Sequence, residues 1–343
     1  MSFSGQIFRE VGKRIPARLA RLAGRPAAVF FHGVEPEITD PRIQSNHHDA
    51  ATFRTIVSSL KAYFDVLPLE ALGDVLKHPD NHPRALFLMS DDGYANTLTV
   101  AADIMEELSL PWTLFISTQH IDTREQNPVF LARLFAFFAP AGGYRIPCLK
   151  DSVVLADNNG FRDIAADRLL FALKQLNGPQ ARQAIAAMLK ILTPERAAEA
   201  IAHFRSERFL AWDQVRALAQ RGVAIGAHAH WHWPMNAAQS EDFIRQQATL
   251  PRERIEKEIG PCRAFAYPFG NIGDVSRAAW QAVRDAGYDH AFTTLSGSLG
   301  AKMNPYLLPR YGLGLHETRS ASLIPLLRTG NARLLNWQKT LAA

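Results

Sequence analysis

Two aspartates and a run of histidines are the residues of this sequence best suited to chemistry. Asp91 and Asp92 close an apolar run, Ala85-Leu86-Phe87-Leu88-Met89-Ser90, and precede Gly93-Tyr94. Consecutive side chains on an extended backbone point opposite ways, so the pair divides naturally into two roles. One carboxylate can bind a metal while its neighbour accepts a proton from water activated there. Asp-Asp-Gly is also good turn chemistry, with Gly93 free to take a positive φ. The histidines weigh against a mere turn. Residues 226–234 read Gly-Ala-His-Ala-His-Trp-His-Trp-Pro, which places His228, His230 and His232 at alternate positions. Histidine is a common ligand of divalent transition metals. An extended chain would face all three one way. A bent one would let His228 and His232 converge and send His230 away.

Three further segments carry weaker signals. Phe265-Ala266-Tyr267-Pro268-Phe269-Gly270 offers little side-chain chemistry. A backbone N–H just after its proline could still be a fixed donor to a developing oxyanion. His316, in Leu313-Gly314-Leu315-His316-Glu317, reads either as a general acid or as a structural histidine. His32, in Phe30-Phe31-His32-Gly33-Val34, has the same two readings.

These residues must be held by regular elements. Strand-like runs cover 27–34, 85–90, 113–117, 223–227, 265–267 and 291–294, and helical patterns cover 50–64, 97–108, 212–221, 240–258 and 275–286. Such alternation implies a parallel sheet, open or closed into a barrel, with its active site at the strand ends. Residues 124–208 are rich in Ala, Leu, Gln and Arg, with no ligand cluster or phosphate loop, and read as a helical insertion. The expected organisation is a basic amphipathic segment at 1–26, a body at 27–320 carrying that insertion, and an amphipathic tail at 321–343.

Composition excludes several classes. The chain has 343 residues, 47% of them hydrophobic, with 38 basic and 33 acidic side chains. That balance is wrong for a disordered chain. Cys148 and Cys262 alone make neither a disulfide scaffold nor a four-thiolate zinc site. No stretch approaches the roughly 20 apolar residues that span a bilayer. Arg9, Lys13, Arg14, Arg18, Arg21 and Arg25 face only Glu10 within residues 1–34, so the net charge of +5 resides at one end. Ile7, Phe8, Val11, Ile15, Leu19 and Leu22 fall among them at helical spacing, a pattern that suits either an anionic membrane surface or packing on the body. Nucleic-acid binding has no support beyond this end. No secretory signal is visible, which points to the cytoplasm and leaves open the inner face of the membrane.

The order of these segments resembles the metal-dependent polysaccharide deacetylases, the NodB-homology family (carbohydrate esterase family 4). Phe31-His32-Gly33-Val34 looks like the family's Tyr-His-x-Val, and Met89-Ser90-Asp91-Asp92-Gly93-Tyr94 like its Thr-Phe-Asp-Asp-Gly-Tyr. Ile225-Gly226-Ala227-His228 through His232 resembles Ile-Gly-Ser-His-x-x-x-His, and Phe265–Gly270 resembles Phe-Ala-Tyr-Pro-Tyr-Gly. The flanks Leu110-Pro111-Trp112-Thr113-Leu114-Phe115 and Trp212-Asp213-Gln214-Val215 fit as well. The resemblance implies a distorted (β/α)7 barrel. It implies Asp92, His228 and His232 as metal ligands, usually for zinc, Asp91 as general base, the Phe269 N–H at the oxyanion and His316 as general acid.

There are departures. Position 266 is Ala where many members carry an arginine that orients the base. Leu315-His316 matches the usual Leu-x-His only loosely, and Leu308-Pro309-Arg310 looks like a segment of members that lack that histidine. Many members are exported.

The function implied is hydrolysis of an N-acetyl or N-formyl amide on an amino sugar, in a glycan, a glycolipid or a lipid- or nucleotide-linked carrier. The same site suits O-deacetylation or a non-sugar amide. A silent carbohydrate-binding protein on this fold would lack a ligand or the base, and all four residues are present.

Overall fold

A computed structural model of the chain describes residues 25–313 and 332–342. The basic segment up to residue 24, the end of the expected body at 314–320 with His316, and residues 321–331 and 343 of the expected tail lie outside the described residues.

Seven parallel strands form the frame: β1 (Ala27–Phe31), β2 (Ala85–Ser90), β3 (Thr113–Ile116), β4 (Ala224–Ala227), β5 (Ala264–Ala266), β6 (His290–Phe292) and β7 (Tyr311–Gly312). Their order around the sheet is β6-β5-β4-β3-β2-β1-β7. Leu308 pairs with Phe292 while Tyr311 pairs with Val29, so residues 308–312 bring the two edges together. This is the distorted (β/α)7 barrel that the strand–helix alternation and the resemblance imply.

Alternation along each strand fills two layers. Ala28, Phe30, Phe87, Met89, Phe115, Ala266 and Phe292 pack together with Leu308 in the barrel interior. Val29, Phe31, Leu86, Leu88, Leu114, Ile116 and Phe265 belong to the layer shared with the outer helices. The strands are buried on both faces, which is why they read as continuous apolar runs. Gly226 on β4 is required by close approach: a Cβ there would lie 2.5 Å from the Phe115 ring. The strand at 85–90 has the predicted bounds, those expected at 27–34, 113–117 and 223–227 are shorter, and those expected at 265–267 and 291–294 begin and end earlier. Residues 33–35 leave β1 and pair in parallel with 47–49 as a separate two-stranded ladder.

The insertion has its own core. Helices α1 (Pro128–Phe138), α2 (Asn159–Lys174), α3 (Gly178–Leu192) and α4 (Pro194–His203) pack Phe130, Phe135, Leu169, Leu173, Met188 and Phe204 together. A hairpin of Gly142–Tyr144 with Val153–Leu155 interrupts the helices, an element the composition did not suggest. Arg162 is buried in this subdomain. Its Nη1 donates to the carbonyls of Ala136, Phe137 and Ala139 at 2.8–3.1 Å, and its Nε donates to Ala156 at 2.6 Å. It thus satisfies orphan carbonyls at the end of α1 and places a positive charge at the negative end of that helix. The helix Ala332–Ala342 buries Trp337 in the outer layer, and Gln338 Nε2 donates to Leu307 at 2.8 Å. The described end of the tail therefore packs on the barrel.

Arg162→Met keeps the aliphatic stem and removes the donors. It should lower unfolding free energy by roughly 2–4 kcal/mol, since the carbonyls stay buried without partners. Denaturant titration checks this, and an unchanged midpoint would refute the capping role.

Candidate active site

Asp91 and Asp92 leave β2 in different directions. Asp91 continues the inward parity of Phe87 and Met89, its N–H donating to Phe31 at 2.9 Å. Asp92 turns into the left-handed region at φ 75°, and Gly93 follows at φ 90°. The two carboxylates therefore part, as two separate roles require.

Asp91 meets Arg310. Nη1 and Nη2 donate to Oδ1 and Oδ2, each at 2.8 Å, and both side chains are sealed from solvent. Arg310 Nε donates to the Thr293 carbonyl at 3.1 Å. Its guanidinium lies 4.4 Å from the centre of the Phe30 ring, with Phe115 and Phe292 at 5.6 and 5.9 Å. Burial pushes the Asp91 carboxyl up, but Arg310 and then His228 outweigh it, and the net direction is down. Asp91 therefore has a guanidinium partner although position 266 is Ala. The guanidinium arrives from the opposite edge of the sheet, on the segment Leu308-Pro309-Arg310.

Asp92 meets the histidines. β3 holds the start of their loop: His228 N–H donates to Ile116 at 2.8 Å, and Ser117 Oγ donates to the His228 carbonyl at 2.7 Å. Ala229 and His232 take positive φ, 58° and 47°, so the backbone bends after the strand. His228 and His232 converge, with Nε2 atoms 3.2 and 3.0 Å from Asp92 Oδ1. His230 turns away, its Nδ1 lying 2.7 Å from Thr118 Oγ1.

The donor set fits a divalent cation. His228 Nδ1 lies 2.8 Å from the Ala266 carbonyl. A carbonyl only accepts, so that nitrogen carries the proton and a neutral ring presents a lone pair at Nε2. Asp92 Oδ1 is buried with no hydrogen-bond donor. Two imidazole lone pairs and a carboxylate oxygen thus face one another, the geometry of an Asp-His-His site. Among the described residues no other trio of such groups converges in this way. Burial pulls His228 down, yet Asp91 and Asp92 outweigh it and carry it above its ordinary value. Burial pushes Asp92 up, yet the histidines carry it well below its own. Both directions express the same shortage of positive charge at the centre.

A row of rings backs this cluster. His120 stacks on Phe209 at 4.7 Å, Phe209 on Tyr94 at 5.2 Å, and His47 lies 4.8 Å from Tyr94. Burial, with Asp92 nearby, raises the Tyr94 hydroxyl well above its ordinary value, and Asn127 Nδ2 donates to Asp92 Oδ2 and to the Tyr94 hydroxyl, each at 3.5 Å. Burial pushes His120 down to about 4 and His47 down to about 3, so both rings are neutral. Burial pushes Glu207 up to about 8. His32 is also held low by burial, against the pull of both aspartates. Phe269 sits at φ 61° with its ring 5.2 Å from His232, and its carbonyl accepts from Thr294 Oγ1 at 2.5 Å. Sequence reasoning missed the pairing of Arg310 with Asp91, and it missed Tyr94, Asn127 and His120 as neighbours of the cluster. Only the text around Arg310 carried a signal.

A polysaccharide deacetylase family model matches residues 171–291, a span that includes His228, His232 and Phe269 and begins after the aspartates. None of the curated proteins matches the sequence. Solved structures are similar in fold. The Streptococcus pyogenes deacetylase PplD in complex with acetate is 13% identical, with a TM-score of 0.57 over 89% of this chain and 98% of that one. IcaB from Ammonifex degensii is 11% identical, at 0.54 over 89% and 97%. BC0361, a polysaccharide deacetylase from Bacillus cereus, is 12% identical, at 0.53 over 89% and 69%.

Arg310→Met should leave a buried carboxylate unpaired and cost about 3–5 kcal/mol. Arg310→Lys, with a point charge in place of a fork, should recover only part of this. Equal midpoints for parent and Met variant in denaturant would refute the pairing. Glu207 holds a proton in the fold that the unfolded chain releases above its usual 4.5. Its contribution therefore falls as pH rises from 4.5 to about 8. Glu207→Gln should be more stable than the parent at pH 8 by on the order of 2–4 kcal/mol, with the gap closing toward pH 5. A gap that does not narrow would show Glu207 ionised throughout.

Proposed function

We propose that this chain, whose residues 171–291 match a polysaccharide deacetylase family model and whose fold is similar to that of solved deacetylases, is a metal-dependent hydrolase removing an N-acetyl (or N-formyl) group from an amino sugar. One juxtaposition carries the reading. A buried, arginine-held carboxylate, Asp91, adjoins a trio of Asp92, His228 and His232 that lacks positive charge. Asp92, His228 and His232 would hold the ion, and zinc is our first assignment because two imidazoles and a carboxylate suit it. The ion would supply Lewis acidity toward the acyl carbonyl and toward water.

The protein's own groups do the rest. Asp91, ionised and fixed in a bidentate fork, takes the proton from the attacking water. Arg310 keeps both oxygens of that carboxylate in place and favours its charged form. The Phe269 N–H, on a backbone held left-handed, donates to the oxygen that gains charge. Neutral His47 and His120 add no positive charge to the cluster. His316 remains our candidate for protonating the departing amine. O-deacetylation would use the same groups, and so would hydrolysis of a non-sugar amide. We assign the substrate as a sugar in a glycan, a glycolipid or a lipid- or nucleotide-linked carrier, met in the cytoplasm, with the basic N-terminal segment as a candidate contact to the inner membrane face. Among the described residues no helix is long and apolar enough to cross a membrane.

Purified protein should contain about one divalent ion per chain, and Asp92→Ala and His228→Ala should both lose it. Asp91→Asn should keep the ion and lose about 10²–10⁴ of its rate of acetate release from N-acetylated oligosaccharides. Metal kept by Asp92→Ala but lost by His230→Ala would overturn the ligand assignment. Full activity in Asp91→Asn would overturn the base.

A further inference from the structure

Besides Asn127, the helical insertion reaches the site through a charged side chain, Lys174. Lys174 ends α2, and its Nζ lies 2.7 Å from Asp274 Oδ1 and 4.7 Å from the centre of the Phe269 ring. Both members of the pair are largely buried, at 17% and 5% exposure. The other face of the contact is a ligand: the Phe269 ring is also 5.2 Å from His232. The residues after Lys174 are tied to the loop that follows His232. Asn236 Nδ2 donates to the Lys174 carbonyl at 2.9 Å, while Trp233 Nε1 and Gln239 Nε2 donate to Leu176 at 3.3 and 3.0 Å. Asp274 in turn accepts from the Asn271 N–H at 3.3 Å, within the turn that leaves Gly270.

Phe269 needs such support. At φ 61° a phenylalanine is in a region that side-chained residues visit at a cost, and surrounding contacts must hold it there. An ammonium over the ring, itself anchored by a buried carboxylate on the same loop, is a contact of that kind. The ion pair neutralises both charges, so Lys174 is not free to receive an anionic ligand. Its geometry suits holding the loop.

We propose that Lys174, with Asp274, is a positioning residue for this reaction: it clamps the Phe269 loop so that the Phe269 N–H meets the developing oxyanion. The proposal rests on the deacetylase reading. The insertion is then part of the catalytic apparatus through this salt bridge as well as through Asn127. Because the oxyanion forms only on the way to the transition state, the clamp acts on kcat and leaves KM nearly alone.

The test compares the parent with Lys174→Met, Lys174→Arg and Asp274→Asn, each with its metal content measured. On an N-acetylated chito-oligosaccharide, Lys174→Met should lose ~10–100-fold in kcat with KM within about twofold. Lys174→Arg should recover most of that loss. The double variant Lys174→Met/Asp274→Asn should be no worse than the poorer single one. Amide hydrogen exchange in segment 268–274 should accelerate in Lys174→Met without change around Asp91. An unchanged kcat, a loss confined to KM, or unaltered exchange at 268–274 would overturn the proposal. If the parent releases no acetate from any N-acetylated sugar, the deacetylase reading fails, and the exchange data alone then decide whether the clamp exists.

Discussion

The buried fork between Arg310 and Asp91 is the constraint that the rest of the structure is arranged around. Two ions removed from water lose solvation worth several kcal/mol apiece, and only good geometry returns it. Both oxygens of the carboxylate are met at 2.8 Å, and the third donor of the guanidinium finds the Thr293 carbonyl. The flat cation is also lined by three rings of the barrel interior. Those rings come from β1, β3 and β6, while the anion comes from β2. The pair therefore ties β6 to β1, β2 and β3, three neighbouring strands with which β6 shares no ladder.

Around that pair the fold distributes charge with economy. Asp92 is ionised and short of positive charge, while the histidines of the ring stack are kept neutral by burial. Glu207, which would add a second negative charge nearby, is kept neutral at moderate pH by the same cause. The outcome is a buried cluster in which a single carboxylate oxygen and two imidazole nitrogens face one another. A row of stacked rings backs this arrangement alongside the hydrogen bonds of Ser117, Asn127 and the Ala266 carbonyl.

Much of this was legible in the residues. The apolar runs that became β1, β2 and β3 are buried on both faces, and a strand buried that way has no polar alternation to blur it. The Asp-Asp-Gly segment was legible as two roles because one residue keeps the strand parity and the next breaks it. The histidine run was legible only up to a choice. Spacing could not say whether the chain bends, and the positive φ values at Ala229 and His232 that decide it belong to no propensity. Arg310 lay beyond pattern reading because its partner is 219 residues away, and no periodicity relates the two. The small hairpin at 142–155 was hidden for a different reason: its strands are three residues long and mostly exposed.

The seventh strand has only two paired residues, and it is the last piece of the barrel to be made. Synthesis runs from the N-terminus at about 5–20 residues per second, and contacts of long sequence separation form late. Asp91 thus waits through more than two hundred further residues for its guanidinium. Until Arg310 emerges, a chain with six strands in place has an apolar interior that opposes ionisation of the carboxylate. The barrel is therefore closed, and Asp91 given its guanidinium, by one and the same segment, residues 308–312. Proteolytic loss of the C-terminal edge would undo both together.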